Sequence, residues 1–323
     1  MRYVIGCDVG GTRLKYTAVS ETGKAVFKAV APSGADRGPE HLVDALAQSV
    51  ADAKARLGGP ASALAFGISG AVDPKRGVVL LPGKFAKIEG YPLVPKLKKR
   101  TGIPIVAEND GRISIIAEKH YGAARKRKWV VCITLGTGVG SGVMLDGQIL
   151  RDPYLQFGTQ LGHLVMQADG GRLCLSNARG TAETLCAATA LEMQVRDGLQ
   201  RGIPSILSEQ YWQDPRSVDF AEVIRAVEQD DRLAKDELRR WTEHLGWLLV
   251  TAAHAFAPEI IILSGGATRA AHHFLPQVRE QTNAHLFRYS KGKPLPIVVS
   301  KMGEYAGAMG AAALAWGAAG RID

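Results

Sequence analysis

Asp8-Val9-Gly10-Gly11-Thr12-Arg13-Leu14-Lys15 closes an apolar run, Tyr3-Val4-Ile5-Gly6-Cys7, near the start of the chain. A second apolar run, Val130 to Leu135, leads in the same way into Gly136-Thr137-Gly138-Val139-Gly140-Ser141-Gly142. Each reads as a core strand entering a glycine turn and then a further strand, Val143-Met144-Leu145 in the second case. A short turn follows both times, Thr22-Gly23 and Asp146-Gly147. Gly11 and Gly23 lie 12 residues apart, Gly136 and Gly147 11. One supersecondary unit is thus used twice, at a spacing that suits two domains rather than a short solenoid repeat.

Working outward, residues 40 to 57 form an amphipathic helix with Leu42, Leu46, Val50 and Leu57 on one face, ended by Gly58-Gly59. A strand is expected over Ala63 to Ile68, and another over Ile103 to Ala107 that runs into Glu108-Asn109-Asp110 and a helix to His120. Arg125-Lys126-Arg127-Lys128 marks a boundary. Beyond the second glycine turn come a polar loop near 200–217, a long helix over 232–256, a buried strand over Ile260 to Leu263 and a small-residue helix over Ala306 to Trp316. Alternating strands and helices give an α/β class.

With 323 residues, 46% hydrophobic and 22% charged, the composition excludes a disordered, collagenous or disulfide-framed chain. No apolar run approaches the roughly 18 residues of a membrane span. Four cysteines, Cys7, Cys132, Cys174 and Cys186, are too sparse for a disulfide framework. No secretory signal pattern opens the chain, so a cytoplasmic location is expected. The excess of 40 Lys+Arg over 31 Asp+Glu, a net +9, suggests an anionic partner: nucleic acid, a membrane surface or a phosphorylated small molecule. Nucleic acid and membrane find no support in a binding module or span.

Glycine turns after strands let backbone N–H groups approach an anion. Asp8 could hold a metal ion through water, and Thr12 could bond a phosphate oxygen. A tight hairpin needs glycine too; two such turns, each at the end of an apolar strand, favour phosphate. Neither is followed by the Lys-Ser/Thr of a Walker loop, and neither opens a helix as a dinucleotide fingerprint does. Ser264-Gly265-Gly266-Ala267, after the late buried strand, either admits a flat ligand such as adenine or is simply a loop. Asp110 ends a strand and opens a helix, a position that also fits an ordinary N-cap.

Taken together, these segments resemble the ROK family of bacterial sugar kinases, within the actin-like ATPase superfamily. Residues 8–15 fit its D-x-G-G-T-x-x-K phosphate motif and Glu108-Asn109-Asp110 its E-N-D catalytic motif. Residues 134–142 fit the second phosphate motif, Gly162-His163 and Gly180-x-x-Glu183 the sugar-site motifs, Ser264-Gly265-Gly266 the adenosine motif, and Gly307 to Ala313 the closing helix. The resemblance implies two actin-like (ribonuclease H-like) α/β domains around an interdomain cleft: a small one over 1–120, closed by the C-terminal helix at about 305–320, and a large one over 121–304. It implies transfer of the γ-phosphate of ATP, with Mg²⁺, to a sugar hydroxyl, Asp110 acting as general base. Asp8 would orient the metal-bound phosphates; Gly10, Gly11, Thr12, Lys15, Gly136, Thr137, Gly138, Gly265 and Gly266 would hold ATP, Lys15 without a defined role. Gly70, Asn109, Gln160, His163 and Glu183 would meet the sugar, and a homodimer is implied.

Three departures fall on the sugar side. The family's zinc motif, C-x-C-G-x-x-G-C-x-E, reads Cys174-Leu175-Ser176-Asn177-Ala178-Arg179-Gly180-Thr181-Ala182-Glu183, with Ser176 and Thr181 in place of two thiolates. One Cys and one His leave a tetrahedral site two ligands short, so no structural zinc is expected. Gln160 replaces a Glu, exchanging an acceptor-only anion for a donor and acceptor. Gly83 stands where many members carry a sugar-binding Asn. Two other readings follow from the resemblance. The family includes sugar-sensing repressors, which carry a helix-turn-helix before the first glycine motif; here that motif begins at residue 8. Alternatively the donor is polyphosphate, tracked by Lys96, Lys98, Lys99 and Arg100 with Arg125 to Lys128, unless these are only solvated surface segments.

Overall fold

The first apolar run is covered on both faces, as a central strand flanked by helices must be. Tyr3, Val4, Ile5 and Cys7 of β1 (Tyr3–Val9) have no solvent exposure. In this computed structural model the described residues are 1–73, 76–81, 85, 87–152, 159–288 and 292–320; Gly83 lies outside them. The chain divides into two compact units: 1–128, 142–159 and 300–323, and 129–141 with 160–299.

In the first unit β1 pairs antiparallel with β2 (Arg13–Ser20), which pairs with β3 (Ala25–Pro32). On its other side β1 pairs in parallel with β4 (Leu64–Ile68). β5 (Ala71–Asp73) and β6 (Val78–Leu81) form a separate two-stranded ribbon. β7 (Ile105–Asn109) pairs in parallel with β4, completing the order β3-β2-β1-β4-β7. One face packs on α1 (Pro39–Leu57) through Leu42, Val43 and Leu46, and on α2 (Leu93–Thr101) through Leu93 and Leu97. The other face packs on α3 (Asp110–Tyr121) and, late in the sequence, on the C-terminal helix over Ala306–Ala318 through Ala311, Ala312, Ala315 and Trp316. That approach is backbone to backbone. A Cβ at Gly6 would lie 1.9 Å from the Ala308 carbonyl oxygen, so the small residues of the closing helix and Gly6 answer one another.

The second sheet has the order β10-β9-β8-β11-β12, from β8 (Val130–Leu135), β9 (Val139–Leu145), β10 (Gln148–Ile149), β11 (Ile260–Ser264) and β12 (Ile297–Val299). Within the second unit β8, β11 and β12 are parallel neighbours. Helices α4 (Ala182–Cys186), α5 (Ala188–Gln200), α6 (Ser208–Gln213), α7 (Phe220–Glu228), α8 (Arg232–Phe256) and α9 (Leu275–Ala284) belong to this unit; the closing helix of the first is α10. Among the described residues no helix is long and apolar enough to cross a membrane.

Two expectations shift. The second glycine turn is shorter than the sequence suggests, because β9 begins at Val139. Gly142 serves packing instead: a Cβ there would sit 2.6 Å from Ile115 Cγ2 and 2.8 Å from the Gly111 carbonyl. The polar stretch at 200–217 is not all loop, since α6 lies within it and a 3₁₀ turn over Pro215–Ser217 is capped by Asp214.

Candidate active site

In the first unit the motif residues gather at the carboxyl ends of three adjacent parallel strands, where open α/β sheets bind ligands. β1 delivers the Gly10-Gly11-Thr12 turn, β4 delivers Ser69-Gly70, and β7 delivers Asn109-Asp110. The register aligns Val9 with Ile68 and Ile68 with Asn109.

The N-cap of α3 is Asn109, not Asp110. Its Oδ1 accepts from the N–H of Gly111 at 3.0 Å and of Arg112 at 3.4 Å, and its Nδ2 donates to the Gly70 carbonyl at 2.8 Å. Gly70 has φ +102°, a conformation that favours glycine. Asp110 is thereby released from capping. Its Oδ2 accepts from Ser69 Oγ at 2.8 Å and its Oδ1 from its neighbour Gly111 N–H at 2.9 Å, two bonds that fix the carboxylate's rotation. Behind it Glu108, 1% exposed, accepts from Arg112 Nε at 2.7 Å, lies 3.0 Å from Arg151 Nη2 and accepts its neighbour's N–H at 2.8 Å. Glu108 locks the corner from inside. The Glu108–Arg112 spacing of four residues is visible in the sequence; Arg151 carries no such signal.

Both glycine turns are tied by their carbonyl oxygens. In the first, Ser33 Oγ donates to Gly11 O at 2.9 Å and Ser33 N to Thr12 O at 3.0 Å. In the second, Ala188 N donates to Gly136 O at 2.9 Å and Thr189 Oγ1 to Thr137 O at 2.7 Å. The N–H groups of Gly11, Thr12, Thr137 and Gly138 have no backbone acceptor among the described residues, as an anion-binding nest requires. A Cβ on Gly11, Gly136 or Gly266 would meet nothing within 4 Å, so protein packing does not demand glycine there. The space beside those three glycines is open. Gly265 does answer to packing: its φ is +92°, and a Cβ would lie 2.3 Å from Leu135 O. Thr134 and Ser264, in register on β8 and β11, share a 2.9 Å hydroxyl hydrogen bond, so the second glycine turn and the Gly265-Gly266 turn leave neighbouring strands.

Asp8 faces Gly307, where a Cβ would come within 2.8 Å of its Oδ2. The missing Cβ of Gly307 lets the Asp8 carboxylate lie against the start of α10. Lys15, opposite Asp8 in the β1–β2 register, reaches the same end of α10, donating to the Glu304 carbonyl at 3.2 Å and pairing with its carboxylate at 3.6 Å. In the second unit Gln160 precedes a 3₁₀ turn over Leu161–His163, and its carbonyl accepts from His163 N at 3.0 Å. Glu183 Oε2 accepts from Val139 N at 3.0 Å and occupies the place a Gly138 side chain would take, 2.3 Å from an added Cβ.

His163, Cys174 and Glu183 bring potential ligand atoms within 4.8 Å of one another, one carboxylate more than the two ligands the sequence suggests. Ser176 and Thr181 supply only hydroxyls, and Glu183 already accepts a backbone N–H, so this set does not fit a closed tetrahedral zinc site. Cys174 is close to His163 Nδ1, Sγ–N 3.3 Å. Burial raises its pKa, but hydrogen bonds from the Ser176 backbone, Thr181, the Ser176 side chain and His163 outweigh this and hold it down at about 7.

Two α/β units, each with a glycine turn at the end of its leading strand, define a chain of the actin-like class. A model of the ROK family matches residues 4–318, and the chain belongs to that family. It is 31% identical over 313 residues to a glucokinase of Thermotoga maritima, covering 96% of each chain. A ROK family glucokinase from Streptomyces griseus, solved with glucose and AMPPNP, matches with TM-score 0.80 at 28% identity, covering 97% of this chain and 99% of that one. A ROK hexokinase from Thermus thermophilus matches with TM-score 0.78 at 29% identity, covering 97% and 98%.

Proposed function

We propose that this protein is an ATP-dependent sugar kinase acting on a hexose or related sugar. The observation that carries the reading is the Asp110 carboxylate at the start of α3, relieved of capping by Asn109 and oriented by Ser69, just past the end of β7, whose neighbour β4 leads to Gly70 and whose next strand, β1, leads to the Gly10-Gly11 turn. Asp110 takes the proton of the sugar hydroxyl as that oxygen attacks the γ-phosphorus, and the P–O bond to ADP breaks. Asn109 offers its remaining amide N–H, and Gln160, His163 and Glu183 their polar atoms, to the other hydroxyls; Gly70 lets the sugar come close. Thr12 and the N–H groups of Gly11, Thr137 and Gly138 hold phosphate oxygens, while the Gly265-Gly266 turn leaves room for the adenosine. Asp8 would hold Mg²⁺ through water, and the ion would supply charge neutralisation for the transferring phosphoryl group. Such transfer depends on positioning and charge neutralisation, which is what these residues supply.

The polyphosphate reading is weakened by the ion pairs of its proposed track. Lys96 pairs with Glu40, Arg100 with Asp44 at 2.7 Å and Lys128 with Asp146 at 3.2 Å, contacts that compete with a long anion. A coupled assay across glucose, mannose, N-acetylated hexosamines and polyols, with ATP and then polyphosphate as donor, tests the proposal. Turnover of a hexose with ATP is expected. Tight sugar binding with no turnover by either donor would favour a regulator instead.

A further inference from the structure

The segment that departs most from the family also contains a contact that sugar phosphorylation alone does not explain. Cys174 is buried, and its Sγ meets Nδ1 of the exposed His163 at 3.3 Å. Thr181 has no solvent exposure, and its hydroxyl, which meets no hydrogen-bond partner at ordinary geometry, lies beside the same sulfur and lowers its pKa. The two residues that stand where thiolates would be therefore line the remaining thiol. The loop around them closes through its backbone. Val165 bridges Thr181, Leu173 bridges Arg179, and the N–H groups of Met166 and Gln167 both donate to Gly180 O, at 2.8 and 3.0 Å. That carbonyl belongs to a glycine at φ +61°, where an added Cβ would lie 2.2 Å from Gln167 O.

We infer that Cys174 is a positioning residue for His163, and that the thiol–imidazole hydrogen bond, with Thr181 and Ser176 behind it, orients the sugar-facing loop in place of zinc. The backbone bridges fix the course of the loop but not the rotation of an exposed imidazole. The sulfur supplies that last constraint. With Nδ1 engaged by sulfur, Nε2 is the ring nitrogen left for a sugar hydroxyl, just as a partner on one imidazole nitrogen sets the role of the other in metal sites. The part concerning the sugar rests on the kinase reading; the part concerning His163 does not.

The full chain, produced with zinc in the medium, provides the test. Wild-type protein is expected to hold well below one zinc per chain by elemental analysis, and Ser176→Cys/Thr181→Cys, which restores three thiolates, about one. Cys174→Ala should raise the KM for the sugar about tenfold and leave that for ATP near its wild-type value, as loss of one orienting hydrogen bond predicts. Cys174→Ser should recover part of the loss, because a hydroxyl still bonds Nδ1. Nitrogen NMR of the imidazoles, with His163 assigned through His163→Gln, should show one fixed tautomer in wild type and a mixture in Cys174→Ala. That spectrum needs no substrate, so absence of turnover would overturn the kinase reading and leave this one standing. Stoichiometric zinc in wild type, or an unchanged His163 spectrum in Cys174→Ala, would overturn the inference.

Discussion

The two units carry the same glycine turn but hold it differently. In the first unit the turn is pinned by Ser33, and the Asn109-Asp110 corner stands apart where β7 meets α3, clamped by Glu108, Arg112 and Arg151. In the second, the turn is pinned by the start of α5, and Gly138 leaves the space that Glu183 of the sugar loop fills. On the proposed function, the phosphate and sugar residues of the first unit are tied to different partners, Ser33 and Gly70, whereas those of the second share the Glu183–Gly138/Val139 contact. Two of the three departures from the family, Gln160 and the 174–183 segment, lie in that second unit.

The largest effect expected is on chemistry in the first unit alone. Asp110→Asn should lower kcat by about 10³-fold, a typical loss for a general base, with sugar affinity and thermal stability close to wild type. Steady-state kinetics with calorimetric sugar binding checks this; a kcat within tenfold of wild type would remove Asp110 from the proton transfer. Glu108→Ala tests the clamp. It strands the nearly buried Arg112 guanidinium without its carboxylate, which should cost about 3–5 kcal/mol in urea unfolding, the range for a broken buried pair. A loss below about 1 kcal/mol would mean the corner is held by its backbone and the Asn109 cap.

The contrast between the turns can be read through two single methyl groups. Gly136→Ala adds a Cβ into open space, with no positive φ to strain, so the fold should be unaffected. The methyl would instead crowd the donor, raising the KM for ATP about tenfold with little change for the sugar. Gly138→Ala puts its Cβ 2.3 Å from Glu183 Oε2, so Glu183 must move and both KM values should rise. Equal profiles for the two variants would break the proposed coupling in the second unit.

Much of this was readable in the sequence, because strand-end glycines and alternating apolar runs depend on local chemistry. β8 and α8 fall where the sequence placed them, at Val130–Leu135 and Arg232–Phe256. What it could not give were partners chosen by tertiary approach. Asn109 rather than Asp110 caps α3; Ser33, Ala188 and Thr189 bind the turn carbonyls; Arg151 reaches Glu108 across 43 residues. Gly140 and Gly142 read as turn, yet they lie in β9, and only the position of Ile115 shows why Gly142 is small. A glycine's reason lies in its neighbour, which a sequence does not display.

The smallest effect tests the softer side of the comparison. Burial pushes the Cys7 thiol up to about 12 and the Cys186 thiol further still, whereas Cys174, despite its own burial, is held near 7 by its hydroxyl, backbone and imidazole donors. Iodoacetamide should therefore modify Cys174 first, with a rate that rises through a midpoint near pH 7 rather than near the ordinary thiol value of 9.0. The sign for stability follows from the lowered folded-state pKa. The contribution of the thiolate is complete above the unfolded value, shrinks as pH falls, and is gone below about 7. Peptide mapping of the alkylated protein across pH reads the midpoint directly. Replacing Thr181 by Val should move it upward, because one donor to the sulfur is lost, while a midpoint that stays put would assign the depression to His163 and the Ser176 groups alone.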